Sequence, residues 1–138
     1  MAFLRPFFRL SFSQLATLPR VFLCVLACRI GLSLKPLKTL EWSRRIQLGS
    51  PSNVPVRRLV WAVTAASRRI PRSTCLVQAV ALHYLLTRAG HASSIHIGVK
   101  KPDGRNFEAH AWVELDHEIL IGGSPSASFT PILAVQNR

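Results

Sequence analysis

The chain of 138 residues is poor in cysteine and in acidic side chains. Its three cysteines, Cys24, Cys28 and Cys75, are too few and too unevenly spaced for a disulfide framework, so a reducing cytoplasm is expected. Up to residue 72 the sequence holds thirteen Lys or Arg against one acid, Glu41, a balance of 13 − 1 = +12. Residues 73–138 balance at 5 − 5 = 0. The basic first half therefore indicates an acidic partner, a membrane surface or nucleic acid.

Long apolar runs are also missing. The uninterrupted apolar run near the N-terminus, residues 21–28, is eight residues long and lies between Arg20 and Arg29, whereas a membrane-spanning helix needs about 20 apolar residues. We therefore expect no spanning helix. A secretory signal stays open as an alternative, because its apolar core is short. The favoured interpretation is one or two apolar helices that pack on a partner or make peripheral contact with a membrane surface.

Several sequence motifs are absent, and each absence removes a class of function. No glycine-rich phosphate loop with lysine occurs, so ATP-driven chemistry is not expected. No nucleic-acid reading motif occurs, and the basic residues alternate with apolar stretches, which argues against a nucleic-acid partner. A zinc site built from Cys75, His96 and His110 would lack a fourth ligand, so no metal or other cofactor is predicted.

Turn-forming residues divide the chain in two. Residues 49–55 are dense in Gly, Pro, Ser and Asn and are typical of a linker, so we predict a basic, apolar helical region over 1–50 and a second domain over 51–138. Apolar residues at three- and four-residue steps predict a helix over 56–69. A second helix follows in STCLVQAVALHYLLTRAG, with Ser73 as its N-cap and Gly90 just after its end. This helix is apolar nearly all round, so it should lie at the centre of the core.

After Gly90 the apolar period changes from 3.6 to 2, which is typical of strands. Strands are predicted over 93–99, 107–115 and 118–121, with turns at 102–104 and 116–117. The fold class is therefore α+β: N-terminal helices, then a central cysteine-bearing helix packed on a small antiparallel sheet of three strands.

Cys75 and His110 are the candidate catalytic residues. Cys75 lies in the first turn of the central helix, where free amides and the helix dipole favour the reactive thiolate and could hold an oxyanion. His110 lies in the middle of a strand and could act as its general base. The alternatives are a buried structural cysteine and a core histidine, and His96 is a rival base. The remaining histidines are expected in the core or at its edge, in a loop and in a turn: His83, His91 and His117.

The residues also point to a family. STCLVQAVALHYLLTRAG, followed by IHIGVKK, FEAHAWVEL and IGG, resembles the lasso-peptide biosynthesis B2 proteins, which are transglutaminase-like peptidases. The similarity covers residues 55–133 and implies a transglutaminase-like or papain-like core with Cys75 as nucleophile and His110 as base. It implies that the protein removes the leader peptide from a ribosomally made lasso precursor. It also implies a small partner protein that binds the leader, and a separate ATP-dependent lasso cyclase.

A third catalytic residue is less clearly marked. Related sites usually hold an Asp or Asn that orients the histidine. Asp116 is the nearest acid downstream and shares the His110 face, although six strand residues span about 20 Å. Asp116 is therefore the predicted third member, with a solvated turn aspartate, Ser124 or a backbone carbonyl as alternatives. On the same face, Trp112 is expected to shield the site and Glu114 to lie at its rim.

Two other functions stay open at this point. One is an acyl transferase of the same fold, which joins two molecules and does not hydrolyse. The other is a non-catalytic module whose basic first half binds an acidic partner while Cys75 is structural. The predicted location is cytoplasmic, with possible membrane association through the N-terminal region.

Overall fold

The computed structural model describes residues 12–49, 54–70, 74–100, 108–121 and 130–136. These residues confirm the α+β fold class. Along the chain they form α1 (Phe12–Leu34), α2 (Pro36–Arg45), α3 (Val56–Arg69), α4 (Cys75–Arg88), β1 (Ser94–Lys100), β2 (Glu108–Leu115), β3 (Glu118–Ile121) and β4 (Thr130–Gln136).

Helix α1 packs on α3 and α4 through one stripe of side chains. Val21, Val25 and Cys28 recur at helical spacing and are buried in the same apolar cluster as the core residues of α3 and α4. At the end of α1, Gly31 lies so close to α2 that a Cβ there would come within 2.9 Å of the Thr39 hydroxyl. Within the described residues, no helix combines the length and the hydropathy needed to cross a bilayer. The predicted division after residue 50 falls among residues outside the described ranges and stays a prediction.

Helix α4 lies at the centre of the core, as its composition predicted. Eight of its fourteen residues are buried, and it contacts α1, α2, α3, β1 and β2. Helix α3 has the predicted bounds and buries one stripe against this core. Burying a single large aliphatic side chain contributes about 1.5–3 kcal/mol, so the central helix supplies much of the stabilisation.

Both ends of α4 follow from local residues, with one correction. The N-cap is Thr74 and not Ser73, which lies outside the described residues: the Thr74 hydroxyl accepts a hydrogen bond from the Val77 amide at 3.4 Å. The helix therefore begins at Cys75 itself, because its cap must lie three residues before the amide that it satisfies. At the other end Gly90 follows the C-cap with φ 89°, as predicted, since glycine adopts this left-handed conformation without strain.

The sheet is antiparallel, with the order β3-β2-β1-β4. The three predicted strands are confirmed to within one residue, and β4, which was not predicted, pairs with β1 on the opposite side from β2. Asp116 and His117 form the predicted tight turn between β2 and β3, with φ 51° and 66°. Two successive positive φ values are typical of the hairpin turn whose twist matches that of its strands. The predicted turn at 102–104 lies outside the described residues.

The sheet presents two different faces. Ile95, Ala111 and Val113 are buried in the apolar cluster that includes α4. Because side chains alternate along a strand, His110 and Trp112 belong to the other face of β2. The candidate catalytic histidine therefore lies on the face turned away from the main helix–sheet contact.

Candidate active site

Cys75 is the first residue of α4, and its thiol is half-buried and free of any disulfide. Helix geometry leaves the amides of Cys75 and Leu76 without an acceptor inside the helix, whereas the Val77 amide is satisfied by Thr74. The first turn holds no acidic side chain that would offset the positive end of the helix dipole. The free amides of this turn could therefore hold an oxyanion beside the thiol.

His110 lies near the start of β2 and is half-buried. Its partner across the strand pair is Gly98 of β1. Because Gly98 has no side chain, the neighbouring strand leaves space beside the imidazole. The strand thus fixes the backbone of His110, and there is space beside its ring. A general base needs such space in order to contact a substrate.

Trp112 lies between two imidazoles on the same sheet face. Its ring centre is 5.7 Å from that of His96, with an interplanar angle of 10°, and 6.2 Å from that of His110, with an angle of 24°. The indole is only 3% exposed. Such stacked aromatic pairs contribute about 0.5–1.5 kcal/mol beyond burial, so Trp112 constrains the orientation of both rings.

Glu114 places its carboxylate beside this row of rings. Its carboxylate accepts a hydrogen bond from the Trp112 indole at 3.1 Å and lies 3.4 Å from the His96 ring nitrogen Nε2. The same nitrogen lies 2.9 Å from the Ser94 hydroxyl. Glu114, which was expected at the rim of the site, has two partners in the row and a side chain that is 30% exposed. The alternation His-x-Trp-x-Glu is the sequence signal that could have identified this network.

Helix α4 contacts β1 and also β2, the strand of His110. Ser93, just before β1, lies beside the middle of α4, because its hydroxyl is 2.8 Å from the His83 ring nitrogen Nδ1. From there β1 continues for about 16 Å to Gly98, the partner of His110, while the helix extends back about 12 Å from His83 to Cys75. Since His110 lies on the outer face of β2, its approach to the Cys75 thiol stays a prediction.

Residues 22–134 match a family model described as the transglutaminase-like superfamily. The chain belongs to this superfamily. The matched segment contains both Cys75 and His110 and begins within α1. No curated protein and no solved structure matches the chain significantly. Membership confirms the superfamily part of the resemblance and indicates a cysteine peptidase or an acyltransferase, whereas the lasso B2 subtype stays a prediction.

The structure of this transglutaminase-like protein does not bring Asp116 beside His110. Asp116 is exposed in the turn at the far end of β2, a strand length of about 20 Å from His110. Ser124, the alternative partner, lies outside the described residues. The role of Asp116 as third catalytic residue stays a prediction, while Glu114 is the carboxylate that the structure links to the His110 face through Trp112.

The other histidines of the transglutaminase-like chain have different surroundings. His83 is fully buried and pairs with Ser93, which confirms its prediction as a core residue. His117 is exposed in the β2–β3 turn, and His91 is half-buried in the loop that follows α4. Only His96 shares the face of His110, so it remains the rival base.

The two remaining thiols lie on α1, on the opposite side of the core from the sheet. The hydrogen bond between Cys24 and Cys28, together with burial, raises the pKa of the Cys24 thiol well above its usual range, so this thiol stays protonated at neutral pH. Cys28 is buried. Across the described residues, no group of three or more His, Cys, Asp or Glu side chains could hold a metal ion.

Proposed function

We propose that this protein is a cysteine peptidase that removes the leader peptide from a ribosomally made lasso-type precursor. Cys75 is the nucleophile and His110 is the general base. The observation that carries the proposal is the position of Cys75 at the uncompensated start of α4, within a superfamily match that also includes the strand of His110. Its partners would be the precursor, a leader-binding protein and a cyclase, in the cytoplasm.

The reaction proceeds in two stages. His110 takes the proton of the Cys75 thiol, and the thiolate forms a bond to the scissile carbonyl carbon. Amides in the first turn of α4 stabilise the resulting oxyanion. Collapse of the intermediate breaks the peptide bond, and the protonated His110 gives its proton to the departing amine. Water, activated by His110, then hydrolyses the thioester and regenerates the thiol, which leaves the leader with a new carboxyl group.

Two carboxylates are candidates for the group that orients His110. Asp116 is the proposed third member by analogy with related sites, and it would need the β2–β3 turn to approach the start of β2. Glu114 is favoured by a specific contact, since it holds the indole on which His110 stacks. Comparing Asp116→Asn with Glu114→Gln therefore tests which carboxylate acts on the histidine.

The experiment uses a candidate precursor peptide encoded beside this gene, incubated with the protein in the presence and absence of the neighbouring leader-binding protein. Mass spectrometry should find the leader and the core as separate products. Cys75→Ala should lower the cleavage rate by more than about 10³-fold while the protein stays folded. Cys24→Ala is the matched control and should keep the rate. Full cleavage by the Cys75→Ala protein would exclude the proposal.

An acyl transferase is the second candidate, because the superfamily match fits this class as well as a peptidase. The two reactions share the thioester of Cys75 and differ in what attacks it. In water enriched with heavy oxygen, hydrolysis places the label in the new carboxyl group of the leader, whereas transfer to an amine gives an unlabelled, heavier product. The label therefore identifies the acceptor of the acyl group.

A further inference from the structure

A large apolar groove lies between α1, α2 and the C-terminal end of α4. Its volume is about 1200 Å³. Three large apolar side chains on its walls remain uncovered: Leu23 is 64% exposed, Leu34 is 74% exposed and Trp42 is 45% exposed. Apolar side chains of this size that stay in water next to one another mark an interaction site.

The charges around the groove all have one sign. Arg20, Lys35, Lys38 and Arg88 line it, and none of the described residues that line it is acidic. These four cations form a basic rim around an apolar floor. Charge complementarity therefore requires an occupant that combines apolar groups with negative charges at its sides.

The dimensions of the groove favour a polypeptide. Its lining follows α1 from Arg20 to Leu34, which is about 21 Å, or four turns of a helix. The volume exceeds the range of about 300–1,000 Å³ that is usual for small-molecule pockets. A flat membrane surface would not fill a concave groove, whereas the side chains of one helix face would.

We propose that this groove, formed by α1, α2 and the end of α4, docks an acidic amphipathic helix of a partner polypeptide. The apolar face of that helix lies on Leu23, Ala27 and Leu34, and its Asp or Glu side chains pair with the basic rim. The groove lies at the opposite end of α4 from Cys75, about 20 Å away along the helix. Docking therefore goes beyond the proposed peptidase activity, and it can fail or succeed independently of that activity.

Binding is measured on the full chain by fluorescence anisotropy with a labelled helical peptide of about 15 residues, matched to the groove length. The probe carries Leu at i, i+3, i+4 and i+7 spacing and Glu at its flanks. One control peptide has Lys in place of Glu, and another has the same composition without the periodicity. Binding of the acidic amphipathic peptide alone, weakened by salt, supports the proposal. Absence of binding, or equal binding of all three peptides, overturns it.

Two pairs of variants locate the binding site. Ala27→Trp fills the exposed floor of the groove, and Ile30→Trp introduces the same side chain on a part of α1 that does not line it. Only the first should weaken binding, by at least about tenfold, since it removes the space for the docked helix. Equal affinity of the two proteins would mean that the peptide binds elsewhere, which would contradict the proposal.

The second pair reverses two charges. Lys38→Glu with Arg88→Glu changes the rim, and Arg57→Glu with Arg69→Glu makes the same change at exposed positions of α3 outside the groove. Each double variant lowers the net charge from +12 by four, to +8. Only the rim variant should lose at least about tenfold in affinity. Anionic phospholipid vesicles are tested in parallel. If the groove variants release vesicles but retain the peptide, the groove contacts a membrane and the proposal is wrong.

Discussion

The two ends of α4 lie in opposite chemical environments. At its start, the thiol of Cys75 is half-buried and lies in a first turn that holds no charged side chain. At its end, Arg88 borders a groove in which apolar side chains are uncovered and the cations have no acidic neighbour among the described lining residues. One helix therefore joins the candidate nucleophile at its start to a basic, apolar contact surface at its end.

Two of the three tryptophans, Trp112 and Trp42, show a similar difference between a packed and an uncovered position. Trp112 on the sheet is 3% exposed, stacks on two histidines and donates a hydrogen bond to Glu114. Trp42 beside the groove is 45% exposed and stacks on Tyr84, with ring centres 5.3 Å apart. Trp112 is therefore fixed by its contacts, whereas Trp42 has an exposed ring surface that another molecule could contact.

The prediction with the largest expected effect tests whether catalysis takes place at the start of α4. His110→Ala should lower the cleavage rate constant kcat/KM by about 10²–10⁴-fold, because the thiol loses its general base. His96→Ala removes a ring that already has Glu114 as a partner, so its effect should be smaller. His117→Ala, in the exposed turn, serves as the control and should keep the activity.

Cleavage kinetics of the three purified variants show which histidine is the base. Circular dichroism checks that each variant is folded. If His96→Ala has the larger effect, the base is His96 and the assignment of His110 is wrong.

The next prediction compares how much Trp112 and Trp42 contribute to the stability of the fold. Trp112→Ala should lower the free energy of unfolding by about 3–5 kcal/mol, since it leaves a cavity in a buried row of rings. Trp42→Ala should lower it by no more than about 1.5 kcal/mol, the contribution of a stacked aromatic pair at an exposed position. Urea denaturation of both proteins measures the difference. Equal losses would mean that the groove is as firmly packed as the sheet face.

The smallest effect concerns the cap that fixes where α4 begins. Thr74→Ala should lower the free energy of unfolding by about 1 kcal/mol, because the Val77 amide loses its acceptor. Thr74→Ser keeps the hydroxyl and should retain nearly all of the stability. Thermal unfolding followed by circular dichroism compares the two. A Thr74→Ser protein as unstable as Thr74→Ala would exclude capping as the role of this side chain.

Much of the fold could be predicted because local patterns agree with the final structure. The apolar stripe over residues 56–69 and the positive-φ turn at Asp116 and His117 depend on neighbouring residues alone. The N-cap was misplaced by one residue because Ser73 and Thr74 both offer a hydroxyl, and only the position of Val77 distinguishes them. Strand β4 was missed because Pro131, which suits only an edge strand, weakens its signal.

The sequence by itself determined the order of α3, α4 and the first three strands, the position of Cys75 in the first turn of a buried helix, and the concentration of positive charge in the first half. These depend on spacing and composition, which are local properties. The tertiary structure alone decided that His96 of β1 stacks on Trp112 beside Glu114 and that α1, α2 and the end of α4 enclose a groove. Such contacts join surfaces whose relative positions follow from packing and strand register, and no local pattern encodes either one.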